Sequence, residues 1–584
     1  MKKSLLLVVS LVFVLVLSFT CFAEYYGNPI DSGACGKDGD NVIWTMYDSG
    51  TLVISGQGEM KDFRWWTISP EYDEYLWGFG RYAVRKIIIE PGITSIGDDA
   101  FLADINGKYD ITVAPTVVEV GTGFGYYLNG RFENGIMYCG NIAAGYDESQ
   151  NSFIFKDGTV AIQPDLFEFM THEEHTEFYA YIPKTVHAFE GNPFRGVQNA
   201  TVVLDPENPY MCVDEYGVIY NSDMTKLLAA PSSLYLGAYT IPDTVVEICD
   251  GAFFGCQNLY SIDFGKGVQI IGECAFSNCD SLSVVIVPGN VKTVELGAFN
   301  YCNELTKVYL LYGVEEIQDI PFYRCEKLSE IYLPNSLTTI GQGCFGYLPS
   351  LTEIDIPDSV CEFICVQRGT SGQEPVFSGN SNLKNIYIPK LKCSYFLTNG
   401  GISGDFANTT NVYVKNLTTE EINIMNDTIR KNEGINGWQW FPSTTQFLPI
   451  YVGSKINSYL NTDIVARIDG KPIRSYNIDG YTVIIAEDLK NYGFNVNFDN
   501  EKRILYVDDV KGEITSTYTD SAFRGRVGDV AGDVLYTDID TYINGLPVKS
   551  YNIGGYTAIY ISDLECFGAV VWNETERTIS FIRN

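Results

Sequence analysis

The chain has 584 residues, with 39 Lys and Arg against 73 Asp and Glu, and a formal net charge of −34. Such acidity argues against nucleic acid as a partner, because binding to phosphates needs Lys and Arg to displace condensed counterions. An apolar fraction of 46% and a charged fraction of 19% are typical of a folded protein and exclude a disordered acidic tail. We therefore expect a folded protein that does not bind nucleic acid.

The first 23 residues have the pattern of a secretory signal peptide. Lys2 and Lys3 form a basic start, an apolar run extends from Leu5 to Leu17, and Ala23 ends the segment. The pattern predicts cleavage after Ala23 and a protein that is secreted or held at the cell surface. A lipid anchor on Cys21 is a weaker alternative. Since no later stretch approaches about 20 apolar residues, we expect no membrane span after cleavage.

Residues 24–80 are predicted to form an N-terminal β cap. Val42–Tyr47 and Thr51–Ser55 flank the turn Asp48-Ser49-Gly50, and this pattern predicts a β-hairpin. A cap is needed here because a repeat array follows, and the first unit of such an array exposes part of its core.

A 23-residue repeat occupies residues 81–390, with an interruption near 125–181. Each unit has a phenylalanine, with an aliphatic residue five positions before it and a leucine six positions after it. Four units also have a cysteine three positions after the phenylalanine. The phenylalanines are Phe253, Phe276, Phe299, Phe322 and Phe345, and the cysteines are Cys256, Cys279, Cys302 and Cys325. This period predicts a solenoid whose coils share one core.

A short strand is predicted after each leucine, because apolar residues alternate there. Val308, Ile331, Ile354 and Ile386 would point inward, which places their strand neighbours on one exposed concave face. Tyrosine is favoured at protein contacts, and the acids would steer a basic partner. We therefore predict a binding surface there, with the convex loops and the inserts as alternatives. Its residues are Tyr309, Tyr332, Tyr387, Glu330, Glu353 and Asp355.

The repeat resembles a known family. The string from Ile241 to Leu259, which contains Ala252, Phe253 and Cys256, resembles the BspA-type leucine-rich repeat. The resemblance implies a secreted or surface bacterial protein that binds partners, adhesively in some members, and it implies no catalytic residues. The expected fold class is mixed α/β and strand-rich: a leucine-rich-repeat solenoid with the β cap before it and two small α+β modules after it.

The repeated cysteines are predicted to be unbridged. They occupy one column of the repeat beside the inward leucines, where a thiol packs as a small apolar group and bonds weakly to carbonyl oxygens. Export favours disulfides, so the pairs Cys361 with Cys365, and Cys249 with Cys274, stay open as bridges.

The C-terminal region holds a second repeat. Residues 391–455 are predicted to form a connector. It contains a short helix, which begins at a capping box formed by Thr418 and Glu421. Residues 468–507 then recur as 543–582, with an offset of 75, and predict modules at 456–510 and 530–584. Both resemble the copper amine oxidase N-terminal, or stalk, domain, which implies architecture and a spacer role.

No metal or other cofactor is expected. The three histidines are His172, His175 and His187, and none lies in the C-terminal modules, so imidazole ligands for copper are missing there. His172-Glu173-Glu174-His175 is one residue short of the H-E-x-x-H zinc motif, and we interpret it as a solvated segment. Catalysis by a serine or cysteine nucleophile also needs a nearby base, normally a histidine. All three histidines lie in one short stretch of the sequence, so a conventional catalytic triad is not expected.

These observations favour a protein that is not an enzyme and that recognises an extracellular protein or glycan, with adhesion as its concrete form. The C-terminal modules would contact the cell wall. An exported glycan- or wall-directed enzyme, with its site in the interruption or the connector, is one alternative. A structural component of the cell envelope is the other.

Overall fold

The described part of the chain falls into two compact units, residues 1–212 and 213–584. The computed structural model describes residues 26–63, 84–101, 109–124, 132–167, 170, 177–187, 189, 191–197, 199–233, 235–363, 376–389, 411–415, 418–421, 423, 446–450, 454–460, 464–478, 480–519 and 530–583. The predicted signal peptide, His172, His175 and Cys365 lie outside these residues. Among the described residues, no helix is long and apolar enough to cross a membrane.

The N-terminal unit begins with the predicted hairpin. Its strands are Pro29–Gly36, Gly39–Tyr47 and Thr51–Gly56, which pair antiparallel. Thr51–Gly56 then pairs in parallel with Lys86–Ile89, which pairs with Asp110–Val113. The hairpin therefore continues the sheet of the first coils. A second parallel sheet consists of Gly58–Glu59, Ile93–Ile96 and Glu119–Val120.

The predicted interruption also carries strands. Three strands pair antiparallel, and they are Phe132–Glu133, Ile136–Cys139 and Ile142–Tyr146. The last of them also pairs in parallel with Ala161–Ile162. A second, parallel set is Ser152–Ile154, Phe178–Ile182 and Ala200–Leu204. The segment thus contributes coils lengthened by a hairpin, and the extra hairpin residues hide them from a search for a fixed period.

The second unit contains the regular part of the solenoid. After Met211–Val213, which crosses the unit boundary, one sheet continues through Ile219–Asn221, Lys226–Ala229, Glu247–Ile248, Ile270–Ile271, Thr293–Val294, Glu316–Ile317, Thr339–Ile340 and Glu362–Phe363. The other face carries the parallel strands Gly237–Thr240, Leu259–Asp263, Val284–Val287, Lys307–Leu310 and Glu330–Tyr332. It is followed by a parallel sheet of Glu353–Asp355, Asn385–Ile388, Asn411–Lys415 and Gln446–Ile450. We call these last two sheets the concave face.

The predicted connector therefore contributes two strands to the concave face. Asn411–Lys415 and Gln446–Ile450 continue the parallel register of Asn385–Ile388. The capping box is also present, because the Glu421 N–H donates to the Thr418 Oγ1 at 3.2 Å and the Thr418 N–H donates to the Glu421 carboxylate at 2.8 Å.

The repeated phenylalanines form the core, as predicted. Phe276 stacks on Phe253 at 4.9 Å and on Phe299 at 5.2 Å between ring centroids, and all three are fully buried. Burial of each ring contributes roughly 1.5–3 kcal/mol to stability. Since Phe276 and Phe299 each contact the rings of the coils on both sides, the stack joins these coils to one another.

The repeated cysteines form a parallel ladder beside this stack, and their prediction as unbridged thiols is confirmed. The Cys302 Sγ donates to the Phe276 carbonyl oxygen at 3.2 Å, and the Cys325 Sγ donates to the Phe299 carbonyl at 3.2 Å. Cys279 makes the equivalent bond to Phe253. Each thiol therefore satisfies a turn carbonyl of the coil before it.

The two C-terminal repeats form one interlocked domain, where the sequence predicts two separate modules. Six strands close a barrel: Lys455–Leu460, Ser475–Ile478, Tyr481–Ile485, Tyr556–Tyr560, Ser550–Ile553 and Val530–Leu535. Two flanking sheets consist of Val465–Ile468, Lys471–Ile473, Thr578–Arg583 and Gly568–Asn573, and of Phe494–Asp499, Ile504–Asp509, Asp540–Ile543 and Leu546–Val548. The 3-10 helices Ala486–Tyr492 and Ile561–Phe567 complete the copies.

The interlocking follows from strand exchange between the copies. Val465–Ile468 of the first copy pairs with Thr578–Arg583 of the second, and Ile504–Asp509 of the first pairs with Asp540–Ile543 of the second. One buried core contains residues of both, including Leu489. The two copies therefore share their sheets and their core.

Candidate functional site: a cleft at the concave face

The predicted binding residues lie on consecutive strands of the concave face. Tyr309 stacks on Tyr332 at 4.8 Å between ring centroids. Tyr332 donates to a Glu330 oxygen at 3.0 Å, and this carboxylate also pairs with Lys307 at 3.0 Å. The strand that carries Glu353 and Asp355 pairs in parallel with the strand that carries Tyr387. All six residues therefore lie on strands of the concave face.

The face is a covered cleft, whereas the sequence predicted an open surface. Tyr387 stacks on Tyr536 of the C-terminal domain at 6.1 Å, with the two rings within 11° of parallel. Lys549 pairs with Glu353, and the Asn335 Nδ2 donates to an Asp540 carboxylate oxygen at 2.6 Å. The C-terminal domain thus faces the strands that carry the predicted tyrosines. Sequence spacing could not show this contact, because some 200 residues separate Asn335 from Asp540.

The cleft encloses a cavity of about 800 Å³. Five of the six predicted residues line it, and Tyr309 lies behind Tyr332 outside the lining. Tyr536 and Tyr542 of the C-terminal domain form part of the opposite wall. A cavity of this size, with aromatic walls and a few polar groups, is suited to a ligand or to a short segment of a partner.

The cavity has an excess of negative charge. Seven carboxylates and four basic side chains line it among the described residues. Lys415 is almost fully buried, and its ammonium lies 2.5 Å from the Asp355 carboxylate and 3.6 Å from that of Asp358. Burial raises the pKa of Asp355 despite this ammonium. Burial also raises the pKa of Asp540 to about 7, and the charge of Asp355 adds to the shift.

Two hydroxyl groups of the lining are unsatisfied. Thr541 is 1% exposed, and its Oγ1 makes no hydrogen bond within the described part of the chain. The Ser359 Oγ is likewise buried and unpartnered in that part. Both residues line the cavity. A buried hydroxyl without a partner costs about 1–3 kcal/mol. The Thr541 side chain faces the core of the C-terminal domain, because Thr541 pairs with the core residue Leu505 and alternates with Asp540 and Tyr542 along its strand.

A second aromatic surface lies on the turns that follow the phenylalanines. The Arg324 guanidinium lies 5.8 Å from the Tyr301 ring centroid and 5.1 Å from that of Tyr347. Tyr301 and Tyr347 are each 37% exposed. This surface belongs to the convex loops, which are the alternative site predicted from the sequence.

Among the described residues, histidines and possible metal ligands outside the cleft are few. Of the three histidines only His187 is described, and its ring packs 4.1 Å from that of Tyr210. The residues described contain no group of three or more His, Cys, Asp or Glu that could hold a metal ion.

Sequence reasoning missed Tyr413, although a signal was present. Asn411-Val412-Tyr413-Val414 repeats the pattern Asn385-Ile386-Tyr387-Ile388, and the structure stacks Tyr413 on Tyr387 at 4.9 Å. Lys415 follows in the same strand. No local pattern marks Tyr536, Asp540, Thr541 or Lys549, because only the docking of the C-terminal domain brings them to the cleft.

The family comparison agrees with this geometry. Residues 232–352 and 313–399 match the family model described as BspA type Leucine rich repeat region, in six copies. Residues 232–399 are of the BspA type. The match confirms the resemblance that the string from Ile241 to Leu259 predicts. The matched residues end before the C-terminal domain, so its likeness to the amine oxidase stalk domain stays a prediction.

Several solved structures are similar to this chain, and two of them are described as leucine-rich proteins. A leucine-rich repeat protein from Eubacterium ventriosum is 24% identical, over 58% of this chain and 94% of its own, with a TM-score of 0.32. The pneumococcal vaccine antigen PcpA is 14% identical over 72% and 98%, with a TM-score of 0.36. A leucine rich cell surface protein from Faecalibacterium prausnitzii is 14% identical over 68% and 98%, with a TM-score of 0.27. No curated protein matches the sequence.

Proposed function

We propose that this protein is exported and recognises another extracellular protein through the cleft at its concave face. The observation that carries the proposal is the cavity of about 800 Å³, whose walls are aromatic and acidic. The BspA-type region supports a surface protein of the recognition or adhesion class. Adhesion is the form of recognition that this class favours, and contact of the C-terminal domain with the cell wall is part of the same proposal.

Binding arrays of extracellular proteins and of glycans test the proposal. We expect wild-type protein to capture a protein ligand and Tyr332→Ala to weaken capture about thirtyfold, because an aromatic anchor is worth about 2 kcal/mol or more. Tyr235→Ala removes a tyrosine that is 75% exposed and outside the cleft, and it serves as the matched control. Folding of each variant is checked by circular dichroism.

The location of the site is tested with the same ligand. Loss of capture in Tyr301→Ala with Tyr347→Ala, and not in Tyr332→Ala, would move the site to the convex loops. Capture of glycans alone would replace the protein partner by a carbohydrate. Export is tested separately, because N-terminal sequencing of the surface or secreted fraction should begin at Glu24.

A further inference from the structure

Charges of the same sign face each other where the C-terminal domain contacts the concave face. Asp540 of the domain points toward the solenoid, because it accepts a hydrogen bond from the Asn335 side chain. The charge of Asp355, on the concave face, lies close enough to raise the pKa of Asp540. Glu330 acts on Asp563 of the domain in the same way, at a second place in the contact. Both domain carboxylates therefore lie near a carboxylate of the solenoid.

Each of these pairs has a lysine of the solenoid nearby, but that lysine already has a partner. Lys415 pairs with Asp355 at 2.5 Å, and Lys307 pairs with Glu330 at 3.0 Å. The two ammonium groups lower the pKa of the domain carboxylates only through their charge at longer range. The lysines therefore offset the solenoid carboxylates first and the domain carboxylates only in part.

The direct partners of the two domain carboxylates are neutral. Asp540 accepts a hydrogen bond from the Asn335 amide at 2.6 Å. Asp563 accepts one from the Tyr560 N–H at 2.9 Å. Among the described residues, neither carboxylate makes an ion pair. When both are ionised, the contact therefore holds two negative charges that no cation touches.

The other ionisable groups around the two carboxylates do not change this balance. Those near Asp540, besides Asp355 and Lys415, are Asp538, Arg503, Tyr506, Tyr536 and Tyr542. Those near Asp563, besides Glu330 and Lys307, are Glu565, Cys566, Tyr309 and Tyr332. Arg503 and Asp538 pair with each other at 2.7 Å. Burial raises the pKa of each of these tyrosines, and it raises the pKa of Cys566 to about 11, so these groups stay neutral up to pH 8.

Closure of the contact favours the protonated form of both carboxylates. Burial is the largest cause of the raised pKa in each, and the pKa is about 7 for Asp540 and for Asp563. An exposed aspartate has a pKa of about 3.9, and separation of the two surfaces would return both groups toward this value. The closed form thus binds protons that an open form releases. A rise in pH from about 4 to about 7 therefore weakens closure.

We propose that the C-terminal domain is a pH-sensitive cover of the concave face, which closes over Tyr332 and Tyr387 in acid and is released as Asp540 and Asp563 ionise. A partner would then reach the concave face more readily at pH 8 than at pH 5. This inference goes beyond the proposed function, because it concerns access to the cleft and not what the cleft binds.

Oxidation by hydroxyl radicals, followed by mass spectrometry, tests the cover on the full chain after removal of the predicted signal peptide. Tyr536 is 8% exposed in the closed form and Tyr481 is 65% exposed, so the ratio of their oxidation reports on release of the domain. We expect this ratio to rise at least threefold from pH 5 to pH 8. Phe299, which is fully buried in the solenoid, should stay unoxidised at both pH values.

A double variant identifies the groups that titrate. Asp540→Asn with Asp563→Asn removes both charges and keeps side chains of the same size, and asparagine can still cap the 3-10 helix. This variant should give the low oxidation ratio of pH 5 at pH 8 as well. Asp38→Asn with Asp508→Asn removes two exposed carboxylates instead, and it should respond to pH as the wild type does.

Three results would overturn the inference. The first is a ratio in the wild type that is the same at pH 5 and pH 8. The second is an equal rise of the ratio in the wild type and in Asp540→Asn with Asp563→Asn, because other groups would then drive the change. The third is oxidation of Phe299 that rises together with that of Tyr536, since this would mean unfolding and not release of the cover. The proposed function is tested separately, by capture of a ligand at a single pH.

Discussion

Asp540 is a half-buried carboxylate among other charged groups of the cleft. Asp355 raises its pKa further above the value set by burial, whereas Lys415 and the Asn335 amide lower it, and the result is a pKa of about 7. An aspartate in the unfolded chain has a pKa of about 3.9. Between these values the folded protein binds a proton that the unfolded chain does not. The contribution of Asp540 therefore lowers stability as pH rises from about 4 to about 7.

The first prediction follows from that sign. Asp540→Asn removes the cost of ionising this carboxylate, so the variant should gain stability relative to wild type, and the gain should be larger at pH 8 than at pH 5. Melting temperatures of both proteins at the two pH values measure it. Asp508→Asn, at an exposed position of the same domain, controls for the change of side chain. A gain that is the same at both pH values would show that Asp540 does not titrate in this range.

The second prediction concerns Phe299, which lies in the middle of the phenylalanine stack. Its ring is fully buried and packs 5.2 Å from Phe276 and 6.0 Å from Phe322. Phe299→Ala should cost about 3–5 kcal/mol, because the cavity that it leaves lies between two coils. Urea unfolding measures the loss, with Phe498→Ala, at a ring that is 40% exposed, as the control. Equal midpoints for the two variants would remove Phe299 from the core.

At the scale of the element, the cysteine ladder should be chemically inert. Burial raises the pKa of Cys256 to about 12 and the pKa values of Cys279 and Cys302 well above their usual range. Alkylation requires the thiolate, so these thiols should stay unlabelled at pH 8 in the folded protein and react fully in denaturant. Mass spectrometry of labelled peptides gives the extent of reaction. Labelling of Cys302 as fast as that of the exposed Cys361, in the presence of reductant, would contradict the ladder.

The regular coils were predictable because the packing of one coil on the next requires the same residue types at the same positions of each coil. Equivalent side chains stack between coils, so Phe253, Phe276 and Phe299 must recur at 23 residues. The coils of residues 132–204 were missed because a hairpin lengthens them and breaks that period. The same limit applies to Asn411–Lys415, whose strand follows the preceding one at a spacing longer than 23 residues.

The candidate site was predictable only on one side. Alternation within the strands identifies Tyr332, Asp355 and Tyr387 as outward residues of the concave face. The opposite wall, with Tyr536 and Asp540, depends on how a distant domain packs, and no periodicity encodes that. The 75-residue offset of the C-terminal copies likewise revealed their likeness and not the exchange of strands between them.

At the scale of the whole molecule, Arg583 joins the two C-terminal copies. Its guanidinium lies 2.7 Å from the Asp469 carboxylate and 3.0 Å from that of Asp509, and its side chain is 10% exposed. Arg583→Met should cost about 3–5 kcal/mol, because it leaves two carboxylates without their cation. Since the strands interlock, we expect hydrogen exchange to rise together in Val465–Ile468 and Asp540–Ile543.

Arg577→Met, at an exposed arginine of the same hairpin, is the control for the loss of charge. Hydrogen exchange followed by mass spectrometry resolves the two strands. Exchange that rises in the second copy alone would mean that the copies fold independently.

The last prediction tests whether the C-terminal domain closes the cleft in solution. Tyr536 is 8% exposed and stacks on Tyr387, so Tyr536→Ala should remove about 2–4 kcal/mol of packing from this contact. The Lys549–Glu353 ion pair reports on closure, because a carbodiimide joins an amine to a carboxylate only when the two touch. We expect the yield of this cross-link, measured by mass spectrometry, to fall severalfold in Tyr536→Ala and to stay unchanged in Tyr481→Ala, at a tyrosine that is 65% exposed. The Lys327–Glu304 pair, at 2.6 Å within the solenoid, is the internal standard in every sample. An unchanged ratio of the two cross-links in Tyr536→Ala would show that Tyr536 does not hold the domain on the concave face, and the cleft would then need another closing contact.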